Sequence, residues 1–180
     1  MIKKHVTGRV AVFVDAANIL YSQQTLGWEI DYAKLLNYLK SETEIVSANF
    51  YSGKISKNQK QVDFFNKMQS FGYQVITKEV KWIKDRGGKI LKGKGNLDIE
   101  LALDVAQAIE SFDTLVLMSG DSDFAVLVDL VRSKNKKVVV ISTKYHISKE
   151  LIEKANKYIN LKFLKDQIRR EVPIKSKNPA

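Results

Sequence analysis

The stretch Arg9-Val10-Ala11-Val12-Phe13-Val14-Asp15-Ala16-Ala17-Asn18 decides the fold class. Between Arg9 and Asp15 every residue is apolar, with valine at alternate positions. That composition suits a strand covered on both faces, as the strands of a parallel sheet are. The run ends on an acid, Asp15, and Asn18 follows about one helical turn later.

Outward from this run the same pattern returns. Thr114–Met118 and Lys137–Ser142 are apolar runs of the same kind, and residues 45–51 and 73–77 read as further strands. Helical spacing fills the intervals at 31–40, 59–70, 97–110 and 124–132. In the first of these Leu35, Leu36 and Leu39 share a face and Asp31 suits the N-cap. Strands and helices in strict turn argue for an α/β fold, a mainly parallel central sheet flanked by helices. Residues 148–170 read as one or two covering helices and 171–180 as a frayed tail. Ile159, Phe163 and Leu164 there suit covering the sheet, with a homodimer contact as the other use. A chain of 180 residues that is 44% hydrophobic supports one buried core, so residues 1–170 are expected to form a single domain.

Composition narrows the chemistry. With no cysteine there is no disulfide, no thiolate zinc site and no catalytic thiol, and His5 and His146 are too few for a multi-histidine metal site. Any metal here must take oxygen ligands. No apolar run approaches the roughly 20 residues that span a bilayer, and the first ten residues lack the hydrophobic stretch of a secretory signal, so a cytoplasmic protein without a membrane partner is expected. The net charge of +10 favours encounter with a polyanion, although excess lysine also serves solubility.

Two strands end in acids. Asp15 sits at the tip of the first, and Leu117-Met118-Ser119-Gly120-Asp121-Ser122-Asp123 places Asp121 and Asp123 just past another and before a helix. Asp123 or Ser122 also suits as a cap for that helix. Acids on two neighbouring parallel strands repel unless a cation or a proton lies between them, and at neutral pH Mg²⁺ or Mn²⁺ is the cheaper occupant. A third contribution comes from Lys94-Gly95-Asn96-Leu97-Asp98-Ile99-Glu100-Leu101, where Asp98 falls in a first helical turn above a stripe of Leu101, Ala102, Val105 and Ile109. Asp104 lines up with Leu97, Leu101 and Ala108, and its role stays open.

Other chemistries fit less well. There is no G-x-S-x-G elbow for a serine hydrolase, and Asp15-Ala16-Ala17-Asn18 lacks the glycines of a dinucleotide fold or a P-loop. An aspartyl-phosphate phosphatase would want an acid two residues beyond Asp15, where Ala17 stands.

The strand Val12-Phe13-Val14-Asp15-Ala16-Ala17-Asn18-Ile19, the segment Lys94 to Leu101 and Ser119-Gly120-Asp121-Ser122-Asp123-Phe124 together resemble the signature regions of NYN domains, also called LabA-like or DUF88. The resemblance spans roughly residues 9–143. It implies a three-layer, Rossmann-like domain of the PIN type with an acidic metal cluster, in a group whose characterised members are mostly ribonucleases. It implies Asp15, Asp98, Asp121 and Asp123 as catalytic metal ligands, with Asn18 and Ser119 orienting ligands or substrate. The expected activity is metal-dependent cleavage of RNA, preferentially single-stranded, with Mg²⁺ or Mn²⁺ as cofactor. A non-catalytic RNA-binding or regulatory module of the same fold is the alternative.

Residues 81–94 interrupt the βα rhythm with Lys81, Lys84, Arg86, Lys89, Lys92 and Lys94 against the single acid Asp85, with glycines at Gly87, Gly88, Gly93 and Gly95. This segment reads as a basic loop or hairpin that guides the RNA backbone toward Asp98, with Trp82 available to stack a base.

Overall fold

The computed structural model describes residues 1–85 and 90–171, with 84 and 90–94 described by their backbone alone. In chain order the elements are β1 (Arg9–Asp15), α1 (Ala16–Leu26), α2 (Tyr32–Glu42), β2 (Glu44–Lys54), α3 (Gln59–Phe71), β3 (Gln74–Glu79), β4 (Lys81–Lys84), β5 (Ile90–Lys94), α4 (Asp98–Gln107), β6 (Thr114–Met118), α5 (Ala125–Ser133), β7 (Lys137–Ser142), α6 (Lys149–Lys154), β8 (Lys157–Asn160) and α7 (Lys165–Ile168).

Six strands form one sheet in the order β3-β2-β1-β6-β7-β8, and every neighbouring pair in it is parallel. The order runs one way from β1 through β2 to β3 and the other way from β6 to β8. The reversal lies between β1 and β6, and in such sheets the crevice at the carboxyl ends of those two strands is where ligands bind.

Strand alternation divides the core in two. Val10, Val12 and Val14 of β1 pack with Leu35, Leu36, Leu39, Met68 and the C-terminal Leu161, Leu164 and Ile168 on one face. Ala11 and Phe13 pack with Leu101, Val105, Val128 and Val131 of α4 and α5 on the other. The result is a three-layer α/β domain whose central strands are buried on both sides, which is why their sequences read as unbroken apolar runs. Asp31 caps α2 by accepting from the Lys34 N–H at 3.0 Å, and Gly72 ends α3 in the left-handed conformation. No helix among the described residues is long and apolar enough to cross a membrane.

Two elements depart from the sequence reading. The covering segment contains a sixth parallel strand, β8, where helix was expected. The Asn156 side chain accepts from the Val138 N–H at 2.8 Å while the Asn156 N–H donates to the Val138 carbonyl, and this pair starts the ladder of β8 on β7. Ile159 and Leu164 are buried, as expected for cover, whereas Phe163 is 64% exposed. The second is α1, which carries no charged residue and so shows no charged stripe to mark its helical period. The basic segment forms an antiparallel hairpin, β4 with β5, separate from the main sheet. Arg86 and Lys89, and the tail from 172 onward, lie outside the described residues.

Candidate metal centre

β1 pairs with β6 from Val10 opposite Thr114 to Val14 opposite Met118, so Asp15 and Ser119 leave the sheet side by side at the strand-order reversal. Asp15 serves as the N-cap of α1. Its Oδ1 accepts from the Ala17 and Asn18 N–H groups at 3.1 and 3.2 Å, and its Oδ2 accepts from the Ser119 hydroxyl at 2.9 Å. Burial pushes the Asp15 carboxyl above its ordinary range. The three hydrogen bonds pull the other way, and the nearby Asp121 charge adds to the upward push.

Ser119 is fully buried, and its hydroxyl also accepts from the Asp121 N–H at 3.3 Å. Gly120 follows, where a side chain would collide with the His146 carbonyl. The Gly120 carbonyl in turn accepts from the Ser148 N–H at 2.9 Å. The turn carrying Asp121 is therefore clamped between β1 and the segment after β7. Asp121 Oδ1 accepts from the Asp123 N–H at 3.0 Å and caps the short 3-10 turn Ser122–Phe124. The capping role expected of Asp123 or Ser122 thus falls to Asp121. The residue before α5 is Phe124, without a side-chain cap, and the exposed Asp123 carboxylate caps nothing there.

Asp98 opens α4, and Leu97 at the N-cap makes no side-chain cap bond. The Asn96 amide donates to Asp98 Oδ2 at 2.7 Å. Burial raises the Asp98 pKa first, followed by the charges of Asp15 and Asp121. The Asn96 bond opposes them and Asp123 adds a smaller push upward. One oxygen each from Asp98, Asp121 and Asp123 can be taken so that all lie within 4.8 Å of one another. These are hard donors from two different elements, a set that suits Mg²⁺ or Mn²⁺ and offers nothing to a soft metal.

Asp15 is not one of the three, and both of its oxygens accept hydrogen bonds from its own chain. It adjoins them, lining with Asp98, Asn96 and Tyr51 a pocket of about 30 Å³, space on the order of a water molecule or an ion. Asn18 is turned elsewhere, toward the tip of β7, where the Ser142 hydroxyl donates to its Oδ1 at 3.4 Å. None of Asp15, Asp98, Asp121 and Asp123 has a lysine or arginine within ion-pair distance among the described residues.

Tyr51 was not visible as a site residue from the sequence. It stands opposite Asp15 in the β1–β2 register, and its hydroxyl donates to Asp104 Oδ2 at 2.7 Å. Burial, and after it that bond, push the phenol far above its usual range. An aromatic in an apolar strand reads as core, and only the register reveals that its hydroxyl reaches the site. It also gives Asp104 a partner. On the hairpin, Lys81 and Trp82 are exposed, while Lys84, Lys92 and Lys94 are placed by backbone alone.

Residues 9–162 match the NYN domain family. The chain is 38% identical over 156 residues to the low amplitude and bright protein LabA of Synechococcus elongatus, covering 85% of this chain and 83% of that protein. A crystallised protein of unknown function from Vibrio parahaemolyticus superposes with a TM-score of 0.75 at 28% identity, over 92% of this chain and 98% of that one. With the family matched over most of its length and the acidic cluster standing at its strand-order reversal, this chain belongs to the NYN domain family.

Proposed function

We propose that this protein is a metal-dependent ribonuclease that hydrolyses phosphodiester bonds of cytoplasmic, single-stranded RNA. The observation that carries the reading is a set of carboxylates at the strand-order reversal with no cationic partner among the described residues, in a chain of net charge +10. Leaving like charges together costs free energy that ordinary folding would avoid with a lysine. A site built to receive a divalent cation explains the cost. Membership in the NYN family supports the same reading, because that family suggests a PIN-like nuclease fold.

In this reading Asp98, Asp121 and Asp123 hold the cation, with Asp15 as the fourth carboxylate beside them. A divalent cation there supplies Lewis acidity toward the scissile phosphate and the attacking water. The chain's own residues do the positioning. Ser119 ties Asp15 to the Asp121 backbone, Asn96 orients the Asp98 carboxylate, and Asn18 holds the start of α1 against the tip of β7. Lys81, Lys84, Arg86, Lys89, Lys92 and Lys94 add an electrostatic approach for the phosphate backbone, effective mainly at low salt.

The test is incubation of labelled single-stranded RNA with the protein in Mg²⁺ or Mn²⁺ and in EDTA, with Asp121→Asn alongside. Cleavage that needs both the metal and Asp121 supports the proposal. RNA that is bound but left whole under every metal condition overturns it in favour of a non-catalytic RNA-binding module.

A further inference from the structure

A groove of about 1460 Å³ opens beside the acidic cluster. Its near end shares Ala17, Gly53, Gly95 and Asn96 with the small pocket of Asp15 and Asp98, so the two spaces adjoin. Along it runs α1, which begins just after Asp15 and carries no charge in a chain that is 28% charged. Leu20, Tyr21 and Gln24 of α1 are exposed and line the groove.

Aromatic surface is concentrated here. Tyr21, Trp82 of β4 and Phe64 of α3 all line the groove and are 59%, 48% and 38% exposed. Trp28, just past the end of α1, lines it too, so both tryptophans of the chain face this one space. Large rings left wet in one groove mark a binding surface.

The end away from Asp15 carries three cations, Lys165, Arg169 and Arg170, against two acids, Glu29 and Glu171, a net positive balance. The strand-like bridge of Ile30 with Arg169 brings the C-terminal segment against the residues after α1, and Lys165, Arg169 and Arg170 line the groove there. Arg170 is paired with Glu29 at 2.7 Å, whereas Lys165 and Arg169 have no acidic partner within ion-pair distance among the described residues. At about 1.5 Å per residue, the eleven residues of α1 set the basic end roughly 16 Å from the acids.

We infer that this groove binds an unpaired polynucleotide, its bases stacked on Tyr21 and Trp82 and its backbone drawn to Lys165 and Arg169, and that the strand runs along α1 into the acidic cluster. Exposed rings combined with nearby cations are the means by which proteins hold single strands without reading sequence. A duplex offers no free base faces and would meet only the cations. The uncharged wall of α1 also matters, because the alternative path over α4 carries Asp98, Glu100 and Asp104 and would repel phosphates. A second copy of this chain is a poorer occupant, since two bodies of net charge +10 repel. Only the direction of the strand into the acids rests on the ribonuclease reading; occupation of the groove does not.

The test exploits the two tryptophans. The full chain is titrated in EDTA at low salt with an oligouridylate and, separately, an oligothymidylate of about ten nucleotides, and with a duplex of equal length. The expected result is saturable quenching of tryptophan emission by single strands and much weaker quenching by duplex, with the stronger oligomer telling RNA from DNA. Anisotropy of a labelled oligomer should show binding weakened about tenfold by Tyr21→Ala and by Trp82→Ala, retained by Tyr21→Phe, and unchanged by Val126→Ser, an exposed residue outside the groove. Binding without any change in emission, equal competition by duplex, or native affinity in both alanine variants overturns the inference. So does emission that changes with protein concentration alone alongside a sedimentation shift, which assigns the groove to a second copy. Because EDTA removes cleavage from this experiment, its failure is distinct from failure of the ribonuclease reading, which the cleavage assay decides.

Discussion

The Ser119 hydroxyl donates to Asp15 Oδ2 at 2.9 Å, joining the tips of β1 and β6 across the reversal in strand order. The same oxygen accepts from the Asp121 N–H, so one buried atom sets the spacing of acids from two strands. Ser119→Ala removes that link without adding bulk. We expect a stability loss of about 1.5–3 kcal/mol, the range for a hydrogen bond to a charged group, read by urea unfolding. The bond holds the Asp15 pKa down, so its loss raises that pKa further. The acid limb of the pH–rate profile should therefore move to higher pH.

Gly120 tests the clamp from the other side. A methyl group at this position meets the His146 carbonyl and the Ile147 backbone, neither of which is a flexible side-chain end. Gly120→Ala should therefore move the Asp121 turn, cost about 1–3 kcal/mol from overpacking, and weaken metal binding as read by calorimetry. Full metal affinity in a stably folded Gly120→Ala protein would show that the turn does not depend on this contact.

The raised pKa of Asp98 has a signed consequence for stability. A carboxylate whose folded pKa lies above its unfolded value of 3.8 holds its proton more readily when folded. Stability contributed by that proton is lost as pH rises through the interval between the two values, and the penalty is full above it. Asp98→Asn should therefore be more stable than the native chain in EDTA at neutral pH, by about 0.5–1 kcal/mol given solvent screening of this part-exposed group. The advantage should vanish toward pH 3.8. Saturating Mn²⁺ should reverse the order, because only the native cluster gains the binding free energy. Thermal melts with and without metal check both statements.

The C-terminal cover separates two neighbouring apolar residues. Leu164 is fully buried against the β1 face of the sheet, while Phe163 is exposed. Leu164→Ala should cost about 2–5 kcal/mol, and Phe163→Ser should lie within about 0.5 kcal/mol of native, by chemical denaturation.

What the sequence showed follows from how each residue is used. β1, β6 and β7 have the expected boundaries because both faces of each are buried and no polar residue interrupts them. β8 is an edge strand in which only Ile159 is fully buried, so it has no apolar run to read. α1 hides because its exposed face is as uncharged as its buried one, and that face lines the groove proposed for nucleic acid. Asp15, Asp98, Asp121 and Asp123 stood out as candidates because each sits at or next to an element boundary. Tyr51 was not, because its contribution depends on strand register. The orientation of Asn18 toward Ser142 likewise depends on β7 lying beside β6.

The most direct test of a metal-dependent ribonuclease is the rate of single-stranded RNA cleavage by the native chain and by Asp98→Asn at matched free Mn²⁺. Asp98 comes from a different element than Asp121 and Asp123, so it reports on the assembled cluster and not on one turn. The account predicts metal-dependent cleavage by the native chain and a rate lower by at least about a hundredfold in the variant. Equal rates in the two proteins, or native cleavage that persists in EDTA, would contradict it.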